Sequence, residues 1–179
     1  MLFKTKDLTY MALGAVLIAV CSWISVPAPV PFTMQTFAVF CVLLLLGGRR
    51  GSVAVLVYLL LGAAGLPVFS GFRGGIGALL GATGGYLLGF LLTGFVYRLF
   101  ERFSGSFWLR VLALALGLVL CYAFGTLWFV QVYARQTGPI SVAAALGWCV
   151  FPFLLPDGVK LALALLLSGR LKPLLKLDT

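Results

Sequence analysis

The sequence predicts an all-α integral membrane protein, a single domain over residues 1–179 with six transmembrane helices and both termini on the cytoplasmic side. Three observations carry this. Mean hydropathy is +1.16, with 63% of residues apolar and 9% charged, whereas a soluble domain is about half apolar and about a quarter charged. The apolar residues fall into six runs, and a helix needs roughly 20 such residues to cross the hydrocarbon. The basic residues sit between those runs on alternate connections.

The expected helices cover 8–26, 34–48, 51–66, 76–98, 107–132 and 146–170. The first follows Lys4 and Lys6, as a signal peptide would. Its run is too long for a signal sequence, and "WISVPAPVP" carries no A-x-A cleavage site, so it is expected to stay as helix 1. The second and third are short and separated only by "GGRRG", which predicts a tight cytoplasmic hairpin. The sixth is interrupted by Pro152, Pro156 and Gly158. It is expected to break there and restart near Pro156, because proline suits a first helical turn. The outer loop "SVPAPVPFTMQT", with Pro27, Pro29 and Pro31, favours an extended polyproline-like path. It is expected to act as a lid, with Thr33 and Gln35 offering neutral hydrogen bonds. "GLPVFSGFRGGIG" is the second structured outer loop.

With the N-terminus inside, the inner segments hold Lys4, Lys6, Arg49, Arg50, Arg98, Arg102, Arg110, Arg170, Lys172 and Lys176. The outer loops hold only Arg73 and Arg135. That bias is the positive-inside pattern, and it requires an even number of spans. The net charge of +9 is therefore topological. There is no basic stripe interleaved with aromatics, and nucleic acid is not expected as a partner. Cys21, Cys41, Cys121 and Cys149 stand singly in apolar segments, no CxxC occurs, and histidine is absent. A metal site is not expected, nor is a cofactor. No G-x-x-x-x-G-K-[ST] pattern is present. Nor is there a nucleophile with its base, so an enzyme is not expected.

Three motifs remain. Ala12, Ala15 and Ala19 share one face of helix 1, and small residues let another helix approach closely in lipid. That face either packs inside the bundle or docks another membrane protein. Gly77, Gly81, Gly85 and Gly89 recur every four residues, a groove for a helix or for a ligand that touches backbone. Asp157 and Lys160 are three apart, hence on the same side of a helix. Lys160 is ten residues from Arg170 at the inner edge, which places it roughly 15 Å into the bilayer. Charges at such depth usually pair, face a cavity and mark function. If the helix starts near Pro156, free backbone N–H groups lie beside them.

"PVPFTMQTFAVF", "GLPVFSGFRGGIGALLGATGGYLLGF" and the late "PDGVK" after "FPF" together resemble the BioY family, over nearly the whole chain. This is the family of biotin-binding S components of energy-coupling factor transporters. The resemblance implies a six-helix bundle with an outward-facing biotin pocket closed by outer loops. It implies coupling to a membrane T component and to cytoplasmic ATP-binding subunits, in a prokaryotic cell membrane. It implies that Ala15 and Ala19, with Ala12 beside them, dock the T component. It also implies that Asp157 and Lys160 contact ligand, although Pro156-Asp157-Gly158 stands where the family often has Gly-Asp-Leu. Biotin has a ureido ring, an apolar body and a carboxylate. Asp157, Lys160, Arg73, Gln35, Thr33, Phe69, Gly74, Tyr86 and Trp148, with Phe151, are expected to supply its contacts. Asp157 and Lys160 are too close together to serve both ends of the ligand, so both are assigned to the ureido ring and Arg73 to the carboxylate. The leading expectation is a high-affinity biotin-binding specificity subunit of a vitamin importer. The rivals are a self-sufficient proton- or ion-coupled transporter using Asp157, and an assembly protein without a small ligand.

Overall fold

The computed structural model describes residues 3–28, 30–103 and 105–175. Pro29 of the first outer loop and Lys176 of the inner basic set lie outside the described residues. Helices dominate: α1 (Thr5–Trp23), α2 (Gln35–Ala63), α3 (Ile76–Leu80), α4 (Gly84–Glu101), α5 (Phe107–Gln136), α6 (Val142–Cys149) and α7 (Phe151–Leu175). Four helical stretches are long and apolar enough to cross a membrane: Thr5–Trp23, Gln35–Ala63, Phe107–Gln136 and Val142–Leu174. Large apolar side chains point outward along them, including Leu13 and Val16 on α1, Val119 and Leu127 on α5, and Leu155 and Leu166 on α7. Such a surface suits lipid and would be an aggregation hazard in water. The chain is a multi-pass membrane protein.

The expected hairpin at "GGRRG" is present inside α2. Gly47 has φ 79° and ψ 166°, outside the helical region, and the chain reverses there. A side chain on Gly51 would come within 3.0 Å of the Leu43 backbone. Arms 35–46 and 48–63 therefore lie side by side. Glu101 closes the reversal from α4, its carboxylate accepting the Gly48 N–H at 2.7 Å. Asp7 at the start of α1 pairs with Arg50 at 2.9 Å. Both acidic residues thus hold down the same turn.

Two expected boundaries are corrected. The run 76–98 is not one helix. It breaks at Gly81, whose extended backbone (ψ 177°) ends α3 before α4 begins. The glycine series therefore divides. Side chains at Gly85 and Gly89 would overlap Trp128 and Cys121 of α5, so these two let α4 and α5 pack closely. Gly77 and Gly81 instead line a cavity. The last helix is not restarted near Pro156. The break falls at Val150 (φ −125°, ψ −57°), and α7 begins at Phe151 with Pro156 inside it. Pro152 then occupies the first turn, where its missing N–H costs nothing. Asp157 lies on the second turn, away from the free N–H groups of the helix start.

The first outer loop carries a short ribbon. Ser25–Val26 (β1) pairs antiparallel with Phe32–Thr33 (β2), Ser25 opposite Thr33 and Val26 opposite Phe32. The second outer loop is tied to the end of α1. Ser22 donates to the Val68 carbonyl at 2.6 Å and the Trp23 indole to the Pro67 carbonyl at 2.8 Å.

The alanine face of α1 is corrected as well. Ala15 and Ala19 are 1% and 7% exposed. They belong to the buried side of α1 with Gly14, which lies close against Ala54 and Val42 of α2. Both alanines are used up by packing within the chain, and only Ala12 of the three is exposed.

Candidate functional site

A cavity of about 360 Å³ lies between the start of α2, the second outer loop, α4, α5 and α7. Its polar end is built on α7. Asp157 and Lys160, one turn apart, are 2% and 4% exposed. Their ion pair is 2.6 Å long. An unpaired charge here would carry a heavy desolvation cost, and the pair is supported because both carboxylate oxygens and two of the three ammonium N–H groups find partners. The Lys160 ammonium donates to the Thr33 carbonyl at 2.8 Å and stands 4.1 Å from the centre of the Phe32 ring. On the other side, the Tyr122 hydroxyl of α5 donates to the second oxygen of Asp157 at 2.5 Å. One carboxylate thus joins α7 to α5, and its lysine joins α7 to the outer ribbon.

The neutral polar residues come from the start of α2. Thr33 donates to the Gln35 side-chain oxygen at 3.1 Å, and the Gln35 amide donates to the Tyr58 hydroxyl at 2.5 Å. Tyr86 of α4 meets Thr126 of α5 at 3.0 Å. Phe69 drops from the second outer loop onto Tyr58, edge to face at 5.5 Å. Four residues further round the mouth, Arg73 is exposed. Its backbone carbonyl accepts the Phe69 N–H at 2.9 Å. Among the described residues its guanidinium has no partner, so the cavity mouth carries an unpaired cation.

Of the nine residues expected at the site, Asp157, Lys160, Arg73, Gln35, Thr33, Phe69 and Tyr86 line this cavity. Gly74 and Trp148 are not in its wall. A side chain at Gly74 would overlap the Leu66 carbonyl, so this glycine serves the close crossing of the loop. Trp148 is 46% exposed and turns edge-on to Tyr133 at 6.1 Å. Phe151 is also exposed, and it is Phe153 that reaches the wall, stacked on Phe32 at 5.8 Å. Sequence reasoning passed over Tyr122, Gln136 and Phe153. The one available signal for Tyr122 was a hydroxyl inside the apolar run "LVLCYAFG".

The cavity thus has a charged and hydrogen-bonded floor, aromatic and apolar walls, and a free guanidinium at its rim. It suits a small ligand that has both charged or polar groups and an apolar body. A family model described as the BioY family matches residues 1–177. The chain belongs to the BioY family. It is similar to the "Biotin transporter BioY" of Thermotoga maritima, 41% identical over 170 residues, covering 94% of this chain and 97% of that one. It is also similar to the "Probable biotin transporter BioY" of Pyrococcus horikoshii, 40% identical over 170 residues, 94% and 98% of the two chains. Among solved structures it resembles the S-component for biotin from an ECF-type ABC transporter. That likeness has a TM-score of 0.82 at 25% identity and covers 96% of this chain and 95% of that one.

Proposed function

We propose that this BioY-family protein binds biotin in the cavity described above and acts as the substrate-specificity subunit of an energy-coupling factor importer. It works with a membrane T component and cytoplasmic ATP-binding subunits, in the cell membrane of a prokaryote. It crosses six times, through α1, the two arms of α2, α4, α5, and α6 with α7. Both termini are inside. The basic residues around the Gly47 turn and at the inner ends of α4 and α5 support this orientation.

The observation that carries the assignment is that one cavity is lined both by the buried Asp157–Lys160 pair and by the exposed, unpaired Arg73. Biotin carries a ureido ring and a carboxylate, and each of these features can be matched to one of the two groups. Asp157, with Lys160 as its counter-charge, serves the ureido end. Arg73 takes the carboxylate. Thr33, Gln35, Phe69 and Tyr86 complete the walls. The Lys160 bond to the Thr33 carbonyl supports a lid role for the outer loop 26–35, anchored to the charged pair. A proton carrier is less well supported, because Asp157 is already paired with Lys160.

Two experiments test the function. Saturating biotin should raise the melting temperature of the purified protein. Labelled biotin should accumulate in cells or vesicles that hold an ATP-binding module and fall sharply when the module is removed. No thermal shift would refute biotin binding. Uptake that ignores the module would refute the subunit role.

A further inference from the structure

Lys160 has three N–H groups and no acceptor. One is given to Asp157 at 2.6 Å, one to the Thr33 carbonyl at 2.8 Å, and the ammonium lies 4.1 Å over the Phe32 ring. The third N–H has no oxygen acceptor among the described residues, but the side chain is almost fully enclosed. Tyr122 is in a different position. It is half-buried where Lys160 is almost fully enclosed, and it lines the cavity. Its single O–H is given to Asp157 Oδ2 at 2.5 Å. A hydroxyl hydrogen rotates to suit its surroundings, so that bond can be exchanged.

When the hydroxyl turns away, Asp157 Oδ2 is an acceptor and Tyr122 Oη a donor, side by side. A cyclic urea has the complementary edge. Its ring holds N–H and C=O on the same side, donor next to acceptor. We propose that Tyr122 is a specificity-determining residue. With ligand bound, its hydroxyl moves from Asp157 to the ureido carbonyl, while Asp157 Oδ2 accepts the adjacent ureido N–H. Lys160 stays behind as the counter-charge of Asp157. This deepens the biotin-binding reading above and rests on it.

The test measures the affinity of wild type and Tyr122→Phe for two ligands by calorimetry. One is biotin, and the other is its thiourea analogue, in which sulfur replaces the ureido oxygen. The analogue keeps both N–H donors and offers a poor acceptor. Wild type should prefer biotin. Tyr122→Phe should bind biotin roughly five- to tenfold more weakly, as expected for one neutral hydrogen bond, and should lose most of the preference. Equal weakening toward both ligands would make Tyr122 only a support for Asp157 and overturn the proposal. Unchanged affinity would overturn it too. A wild type that binds both ligands equally has no donor at the carbonyl, which overturns it without any variant. A wild type that binds neither refutes the biotin reading itself, and the wild-type measurement alone separates that failure from the others.

Discussion

The Gln35 side chain donates to the Tyr58 hydroxyl at 2.5 Å, although the two residues stand 23 positions apart in one helical stretch. In a straight helix they would be roughly 34 Å apart. The contact exists because the chain folds back on itself at Gly47. Gln35, which lines the cavity, then meets Tyr58, which also carries the Phe69 ring. A turn at one end of the molecule therefore fixes a polar cluster at the other.

Gly47→Ala should destabilise the fold by about 1–3 kcal/mol, the cost of forcing a side chain into a backbone region open essentially to glycine alone. Its φ of 79° is one reason, and the Glu101 carboxylate 3.0 Å from where a methyl would sit is another. Thermal unfolding in detergent measures this. An unchanged melting temperature would refute the strain at Gly47.

The hairpin was legible in the sequence because "GGRRG" is a polar, glycine-rich interruption in an otherwise apolar chain. So was the Asp157–Lys160 pair, since charges stand out against such a background. Burial was not legible. In water, a polar face tells which side of a helix is outside. Here Leu13, Val16 and Ile18 are equally apolar, yet the first two are exposed and the third is enclosed. The break at Gly81 was missed, and the break at Val150 was expected a few residues too late, for a related reason. Neither is polar, and tertiary packing decided where the helices end. Tyr122 escaped notice because its partner, Asp157, comes from another helix 35 positions away.

The enclosed alanines of α1 lead to a second prediction. Ala15→Leu and Ala19→Leu should each cost about 1–3 kcal/mol through overpacking of the contact with α2. Melting temperature, biotin affinity and uptake should fall together. Loss of uptake alone, with stability and binding intact, would show that this side of α1 is free in the working protein and meets a partner there.

Asp157→Asn keeps the shape of the side chain and removes its charge. Lys160 then loses its counter-charge, and the ligand loses a charged acceptor. Biotin affinity should drop by about 1.5–3 kcal/mol, the range for one hydrogen bond to a charged group, or roughly ten- to a hundredfold. Calorimetry on variant protein with a cooperative melt measures it. Wild-type affinity in such a sample would remove Asp157 from the binding site.

Arg73 is the remaining charge at the cavity, and its position sets the last prediction. It sits on the exposed outer loop, and among the described residues no carboxylate pairs with its guanidinium. The loop itself is held by Ser22, Trp23 and the Phe69 ring, so removing the Arg73 side chain leaves the loop's anchors in place. Arg73→Ala should therefore weaken biotin binding without lowering the melting temperature of the ligand-free protein. An exposed ion pair is worth about 0.2–1 kcal/mol, and enclosure of the mouth over bound ligand would push the effect to the upper end or beyond. The decisive comparison uses biotin amide, which lacks the negative charge but keeps the ureido ring and chain. Its affinity should be the same for wild type and Arg73→Ala. Equal losses for the acid and the amide would mean that Arg73 acts by shaping the loop, and the carboxylate would have to be assigned to another residue at the mouth.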